Sequence, residues 1–270
     1  LSTTDRWPPA LFTLAALTMI SLALILMLSD AALTLALAVM ALAAVVLDRR
    51  FSLPPLGIFA QLGAAVSAWR LVIDPGIDWA LGAPFWEFAG TYAGVLILLW
   101  ASRFLLAGPA RRRTFTVIDA AFWTLSAVFA SSLIYRVIDN YWPKHDDSHA
   151  TTSLMALVWL ISMANQLYRL KTPETWRWVR IVLAILYGLV GAISLFVATA
   201  FLNPLLSSWE PAFGPYIVDS LFVAYALPAL FFLAFAVWFT HLKIWLRYGA
   251  GALAVFYAGL YVGLEIRRVW

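Results

Sequence analysis

The chain of 270 residues contains 0 cysteines. That excludes disulfides, thiolate nucleophiles and thiolate metal sites, and it leaves the redox compartment unreadable. Charge is also scarce, at 12% of residues, where a soluble domain carries roughly a quarter. No Ser-His-Asp order, no phosphate-cradling glycine loop after a strand and no paired-Asp glycosyltransferase pattern stands out. What fills the chain is apolar, 64% of it, so lipid is its solvent and one integral membrane domain over residues 1–270 is the expected organisation. The formal net charge of +4 sits in short loops beside apolar runs, where it orients helices. A nucleic-acid partner is therefore not expected.

About nine stretches are long enough to cross a hydrocarbon core as helices. They are Ala10–Leu28, Ala31–Leu47, Pro54–Ile73, Phe85–Leu106, Thr114–Ile138, Thr151–Tyr168, Trp178–Leu202, Tyr216–Phe239 and Tyr248–Leu264. Barrel strands would alternate in polarity, whereas these runs are continuously apolar, so an all-α polytopic transmembrane bundle is predicted. The loops alternate in sign. Even-numbered connections hold Arg49 and Arg50, then Arg111 to Arg113, then Arg169, Lys171 and Arg177, then Lys243 and Arg247. Odd-numbered ones hold Asp30, Asp74, Asp78, Asp139, Asp146, Asp147 and Glu210, with Lys144 their single cation. The positive-inside rule then puts the amino end and the even loops in the cytoplasm.

The first two spans carry almost no polar groups, which predicts a tight hairpin facing lipid. Small residues four apart, Gly57, Ala60, Gly63 and Ala64 in the third span and Gly259 and Gly263 in the last, predict close helix approach. Pro228, midway along the eighth span, must remove a backbone hydrogen bond and so kink the helix or open a polar pocket.

Ionisable side chains within spans are costly and worth plotting. Arg70, Glu87, Arg136, Asp219, Glu265 and Arg267 all fall at span ends on the predicted outer side, with Asn203 and Asp139 close by. They define a candidate outward-opening polar pocket. The plainer reading is that span ends are where charges reach headgroups and water. Arg267 and Arg268 nonetheless stand outside against the positive-inside rule, which predicts pairing with Glu265, Asp219 or Glu87. Asp119 lies deeper in the fifth span and is a candidate proton-relay or ion-binding acid. Its place in the first turns of a helix, just after Arg111 to Arg113, gives it an electrostatic reason to be there as well.

His145-Asp146-Asp147-Ser148-His149 offers imidazoles and carboxylates suited to zinc or nickel. Without a third fixed ligand it reads more simply as a solvated acidic turn, and neither a metal nor a cofactor is expected. Trp79, Phe85, Trp86, Tyr141, Trp142, Trp209, Phe213, Tyr216 and Tyr261 crowd the outer side. An interfacial belt explains most of them, and a groove for a sugar or headgroup is the sharper alternative.

Two stretches read together carry a family resemblance. One runs from Leu202-Asn203-Pro204-Leu205-Leu206 through Gly214-Pro215 to Ala224-Tyr225-Ala226-Leu227-Pro228-Ala229, and the other is Tyr261-Val262-Gly263-Leu264-Glu265-Ile266-Arg267-Arg268. The combination resembles the large bacterial multi-pass membrane proteins of domain-of-unknown-function family 2339. The resemblance implies a bacterial inner-membrane location and an internal fragment of a longer chain. It implies no established activity, and it coincides with the candidate pocket at Asn203, Tyr225, Pro228, Glu265 and Arg267.

Three functions follow as expectations. Transport of a lipid, sugar or small solute would use Asp119, Arg136, Asp219 and Glu265 along a route. An envelope-assembly transferase for lipid-linked sugars or acyl groups would use Glu265 or Asp219 as base and Arg267 to hold an anionic headgroup. A scaffold would bind membrane proteins through small-residue faces. Membrane lipids, other membrane proteins and the remainder of its own chain are the expected partners. Besides Asp119, the inner half of the spans offers only Asn165 and Gln166 as notable polar groups, so a pocket confined to the outer side is favoured over a continuous route.

Overall fold

A computed structural model describes residues 7–28, 30–53, 55–74, 76–106, 111–141, 148–171, 176–206, 212–215, 217 and 219–269. Its helices are α1 (Trp7–Met27), α2 (Asp30–Phe51), α3 (Pro55–Val72), α4 (Gly76–Gly82), α5 (Phe85–Leu105), α6 (Arg112–Tyr141), α7 (His149–Arg169), α8 (Arg177–Ala200), α9 (Leu227–Trp238) and α10 (Ile244–Val269). A π turn, Phe222–Ala226, leads directly into α9. Among the described residues there is no strand. The chain forms two compact units, one of Leu1–Ser132 with Glu174–Trp176, the other of Leu133–Pro173 with Arg177–Trp270.

In the first unit α2 is the central element, packed on α3 and α5. This corrects the expectation that both early spans face lipid. α1 does so, with 11% of its apolar window buried, against 44% for α2. A run without polar groups cannot by itself distinguish a lipid face from a helix face. Size does so here, because Ala38, Ala41 and Ala44 are buried and admit the neighbouring backbone. The small residues of α3 meet them as expected. A Cβ on Gly63 would lie 2.9 Å from Ala41 Cβ, and one on Gly57 would lie 2.8 Å from Thr114 Oγ1. The Tyr92 hydroxyl closes this core by donating to the Leu71 carbonyl at 2.7 Å.

In the second unit α7 and α8 pack along one another, and α10 packs on α9. Gly191 permits the first contact, since a Cβ there would come to 2.8 Å from Leu160 Cγ. Gly259 and Gly263 do not serve the second. A Cβ at either would meet nothing within 4 Å, and the buried face of α10 carries Ala250, Ala254, Tyr257 and Leu264 instead. The glycine spacing is right for close approach but lies on the other side of the helix.

Among the described residues eight helices are long and apolar enough to cross a membrane, α4 and α9 not among them. The span expected at Tyr216–Phe239 is shorter than its apolar run, because helix begins only at Ser220. The described residues before it fold back as a loop, and the apolar helix proper is Phe222–Trp238. Pro228 shapes its start. Lacking an N–H, it leaves the Ala224 carbonyl without an α-helical donor. Leu227 N instead reaches back to Phe222 O, widening the turn, and Ser153 Oγ on α7 donates to Ala224 O at 2.8 Å. The freed carbonyl is thus satisfied across helices, the usual remedy inside a bilayer. The short helix runs antiparallel to α10 and is bonded to it near both ends. Arg268 holds Asp219 at one end, and Arg247 Nε donates to Ala236 O at 2.8 Å at the other.

Candidate functional site

The polar groups of the first unit are largely consumed by one another. Asp119 is fully buried and lies 2.6 Å from Arg103 Nε at the end of α5. This is a close ion contact rather than an aligned hydrogen bond. The guanidinium also stands 4.7 Å from the Phe122 ring centre, with Phe115 and Trp123 at 6.0 and 5.9 Å. Rings and carboxylate together replace its water, in the manner of a desolvated cation–π cage. Just before α6, Arg111 Nε donates to Asp48 Oδ2 at 2.5 Å, and its Nη2 to the Asp48 carbonyl at 2.9 Å. The hydrogen bond to Asp48 raises the Arg111 pKa above its ordinary value. Arg70 is half-buried and donates to Thr34 Oγ1 at 3.2 Å, while Glu87 is exposed in the first turn of α5.

In the second unit polar side chains gather at the end formed by the start of α7, the end of α8, the loop before the π turn and the end of α10. Tyr261, Glu265 and Arg268 recur on one face of α10 by helical spacing. That face looks onto the loop. Arg268 Nη1 pairs with Asp219 Oδ2 at 2.5 Å and its Nη2 donates to Gly214 O at 2.7 Å. Asp219 Oδ1 accepts from Phe222 N at 2.9 Å, capping the helix start. Gly214 has φ +102, and a Cβ there would crowd Asp219 Cα at 3.2 Å, so only glycine serves. Tyr261 OH donates to Ile217 O at 2.7 Å. It holds Ile217 in a left-handed conformation, φ 73, with 68% of the residue exposed.

Deeper in, Ser220 N donates to Phe213 O at 2.9 Å, and Phe213 N returns a bond to Ser220 Oγ at 3.0 Å. His149 Nε2 meets the same hydroxyl at 3.0 Å, its ring parallel to that of Tyr225 at 6.4 Å. His149 is therefore a buried pin at the first residue of α7 rather than part of a solvated turn, with Ser148 capping that helix through Thr151 N at 3.3 Å. His145, Asp146 and Asp147 lie outside the described residues, as do Trp142, Trp209 and Tyr216. Among the described residues no three His, Cys, Asp or Glu side chains are grouped to hold a metal ion.

The expected pocket residues thus divide, Arg70 and Glu87 in the first unit and the rest in the second. Asn203 is buried and turns the chain after α8, its Oδ1 accepting from Leu205 N at 2.9 Å. Tyr225 is fully buried, and Arg136 is half-buried near the end of α6. The predicted pairing of the arginines at the end of α10 occurs, but through Arg268. Arg267 is exposed and, among the described residues, reaches only Leu205 O at 3.5 Å, because its neighbour alone is three residues from Glu265 and so shares its face. Glu265 is half-buried, and its Oε1 is buried with no donor among the described residues. Sequence reasoning missed Arg103, Asp48 and the wholly buried Arg180, which gives Gln166 Oε1 a hydrogen bond at 2.9 Å. An arginine a turn inside a span end was the available signal.

Among the described residues a helical architecture without strands, eight long apolar helices and the buried Arg103–Asp119 pair define a multi-pass helical membrane protein. The chain belongs to domain-of-unknown-function family 2339 (DUF2339), described as a predicted membrane protein, whose profile matches residues 2–270. No curated protein and no solved structure matches it.

Proposed function

We propose that the protein handles the hydroxyl- or amine-bearing headgroup of a lipid or lipid-linked sugar at the Asp219–Arg268 end of its second unit, moving or presenting it rather than transforming it. The observation carrying this reading is Glu265 Oε1, a buried acceptor without a donor among the described residues, at an end where Asp219 is engaged with Arg268 and Ser220 with His149. A buried acceptor left unmatched costs about 1–3 kcal/mol, which a ligand hydroxyl or ammonium would recover. Ile217 adds support, since a β-branched residue at positive φ is strained and strain gathers at ligand-contacting sites. Its exposed side chain gives an apolar contact for the lipid beside a polar acceptor. In this reading the site faces outward from a bacterial inner membrane, with the basic loops in the cytoplasm.

The transferase reading is the weaker one, because of its two candidate bases Asp219 is paired with Arg268 and caps a helix, which leaves Glu265 alone for the role. Envelope lipids and glycans would be profiled by mass spectrometry in a deletion strain complemented with the unaltered protein or with Glu265→Gln. A species that changes on deletion and is restored by the unaltered protein alone is expected. An unchanged profile, or full restoration by Glu265→Gln, would remove headgroup handling at Glu265.

A further inference from the structure

The opposite end of the second unit holds a different chemistry. There the end of α7, the start of α8, the α9–α10 turn and the start of α10 bring together Arg169, Lys171, Arg177, Arg180, His241, Lys243 and Arg247. The described carboxylates of this unit, Asp139, Asp219 and Glu265, belong to the other helix ends. His241 Nε2 ties the turn to α7 at Leu167 O, 3.1 Å away. A collar of exposed cations at a cytoplasmic helix end needs only the positive-inside rule to explain it. The groups beneath the collar need more.

Gln166, one turn from the end of α7, is fully buried. Its Oε1 accepts from Arg180 Nη1 at 2.9 Å, which fixes the orientation of the amide and turns Nε2 away from the guanidinium. That Nε2 is buried with no acceptor among the described residues. Its neighbour repeats the arrangement. Asn165 Oδ1 accepts from Arg169 Nε at 3.3 Å, and Asn165 Nδ2 is likewise buried without an acceptor. Two successive amides therefore spend their oxygens on arginines and keep donors in reserve. An unmatched buried donor is as unfavourable as an unmatched acceptor, and a site that offers only N–H groups and positive charge calls for an oxyanion.

We propose that this end of the unit binds a phosphate group, with Gln166 Nε2 donating directly to a phosphate oxygen and the Arg177, Lys243 and Lys171 collar supplying the field that draws it in. Arg180 positions the amide through its bond to Oε1. Phosphate fits better than a carboxylate, since it offers several acceptor oxygens to donors arriving from more than one helix. The group can reach the site as the headgroup of an anionic phospholipid in the adjacent leaflet, which basic pockets between helices are suited to hold, or as free phosphate from the cytoplasm. This site is separate from the Glu265 end, so the two proposals stand or fall independently.

The test uses the full-length protein in nanodiscs, titrated with phosphatidylglycerol in a phosphatidylcholine background and, separately, with inorganic phosphate, reading thermal stability and co-purified lipid by native mass spectrometry. Stabilisation of the unaltered protein, weakened roughly tenfold in apparent affinity by Gln166→Leu, is expected, as for loss of one hydrogen bond to a charged group. A response to phosphatidylglycerol alone identifies the lipid as the source, and an equal response to inorganic phosphate identifies the free anion. Should Gln166→Leu fail to fold, Gln166→Glu serves. It puts a carboxylate beside Arg180 and an acceptor oxygen in place of the donor Nε2, and should abolish binding while raising stability in the absence of ligand. Equal responses from the unaltered protein and either variant would overturn the proposal.

Discussion

At the residue scale, pairing decides what each buried charge can do. Asp119 was legible in the sequence as an acid inside a span, but its partner was not, because Arg103 belongs to the preceding helix and only the packing of α5 on α6 brings the two together. With Arg103 at 2.6 Å the buried carboxylate already has a cationic partner, which argues for a structural role. Arg103→Ala should destabilise the protein by about 3–5 kcal/mol, the cost of leaving a buried charge unpaired. Replacing both residues by leucine should recover most of that loss in a denaturant or SDS unfolding titration. If Asp119→Asn and Arg103→Ala each leave the unfolding midpoint unchanged, the pair has no structural weight. The arginines at the end of α10 teach a related lesson. The sequence predicted that a cation near residue 267 must be paired, and helical spacing, not charge, selected Arg268 over Arg267.

Among the elements, spans were readable because continuous apolar runs admit little but helix in lipid. Which face of a helix meets a neighbour was not, because the same small-residue spacing occurs on α3, where it is used, and on α10, where it is not. Gly63→Leu should disturb the contact with Ala41 and cost about 1–3 kcal/mol through overpacking. Gly259→Leu, whose Cβ meets nothing within 4 Å, should be neutral or slightly stabilising, since leucine is the better helix former. Equal effects of the two substitutions on unfolding would mean that the α2–α3 approach is not close. The late start of the penultimate helix was hidden for another reason. The sequence from 212 to 219 is as apolar as a span, and the bonds made at Gly214, Ile217, Asp219 and Ser220 hold its described residues in a loop.

For the whole molecule, the alternation of loop charge is the strongest long-range signal, and it can be read out because no native cysteine interferes. Cysteines placed singly at Leu205 and Lys243 flank the short helix that runs beside α10. If that helix crosses the bilayer, an impermeant thiol reagent added to intact cells should label Leu205→Cys and spare Lys243→Cys. Labelling of both would place the helix within one leaflet and reverse the direction of α10. The π turn bears on the same unit in another way. It is one residue more than an α-helix would need, and each residue in a helix turns the chain by about 100°. Everything before Phe222 is therefore set at an azimuth that regular winding would not reach, and this is the angle at which Asp219 meets Arg268 and Ser220 meets His149. Like a vernier, the widened turn brings two scales into coincidence at a single mark. Shortening it by one residue would keep every polar side chain of the site and lose the site.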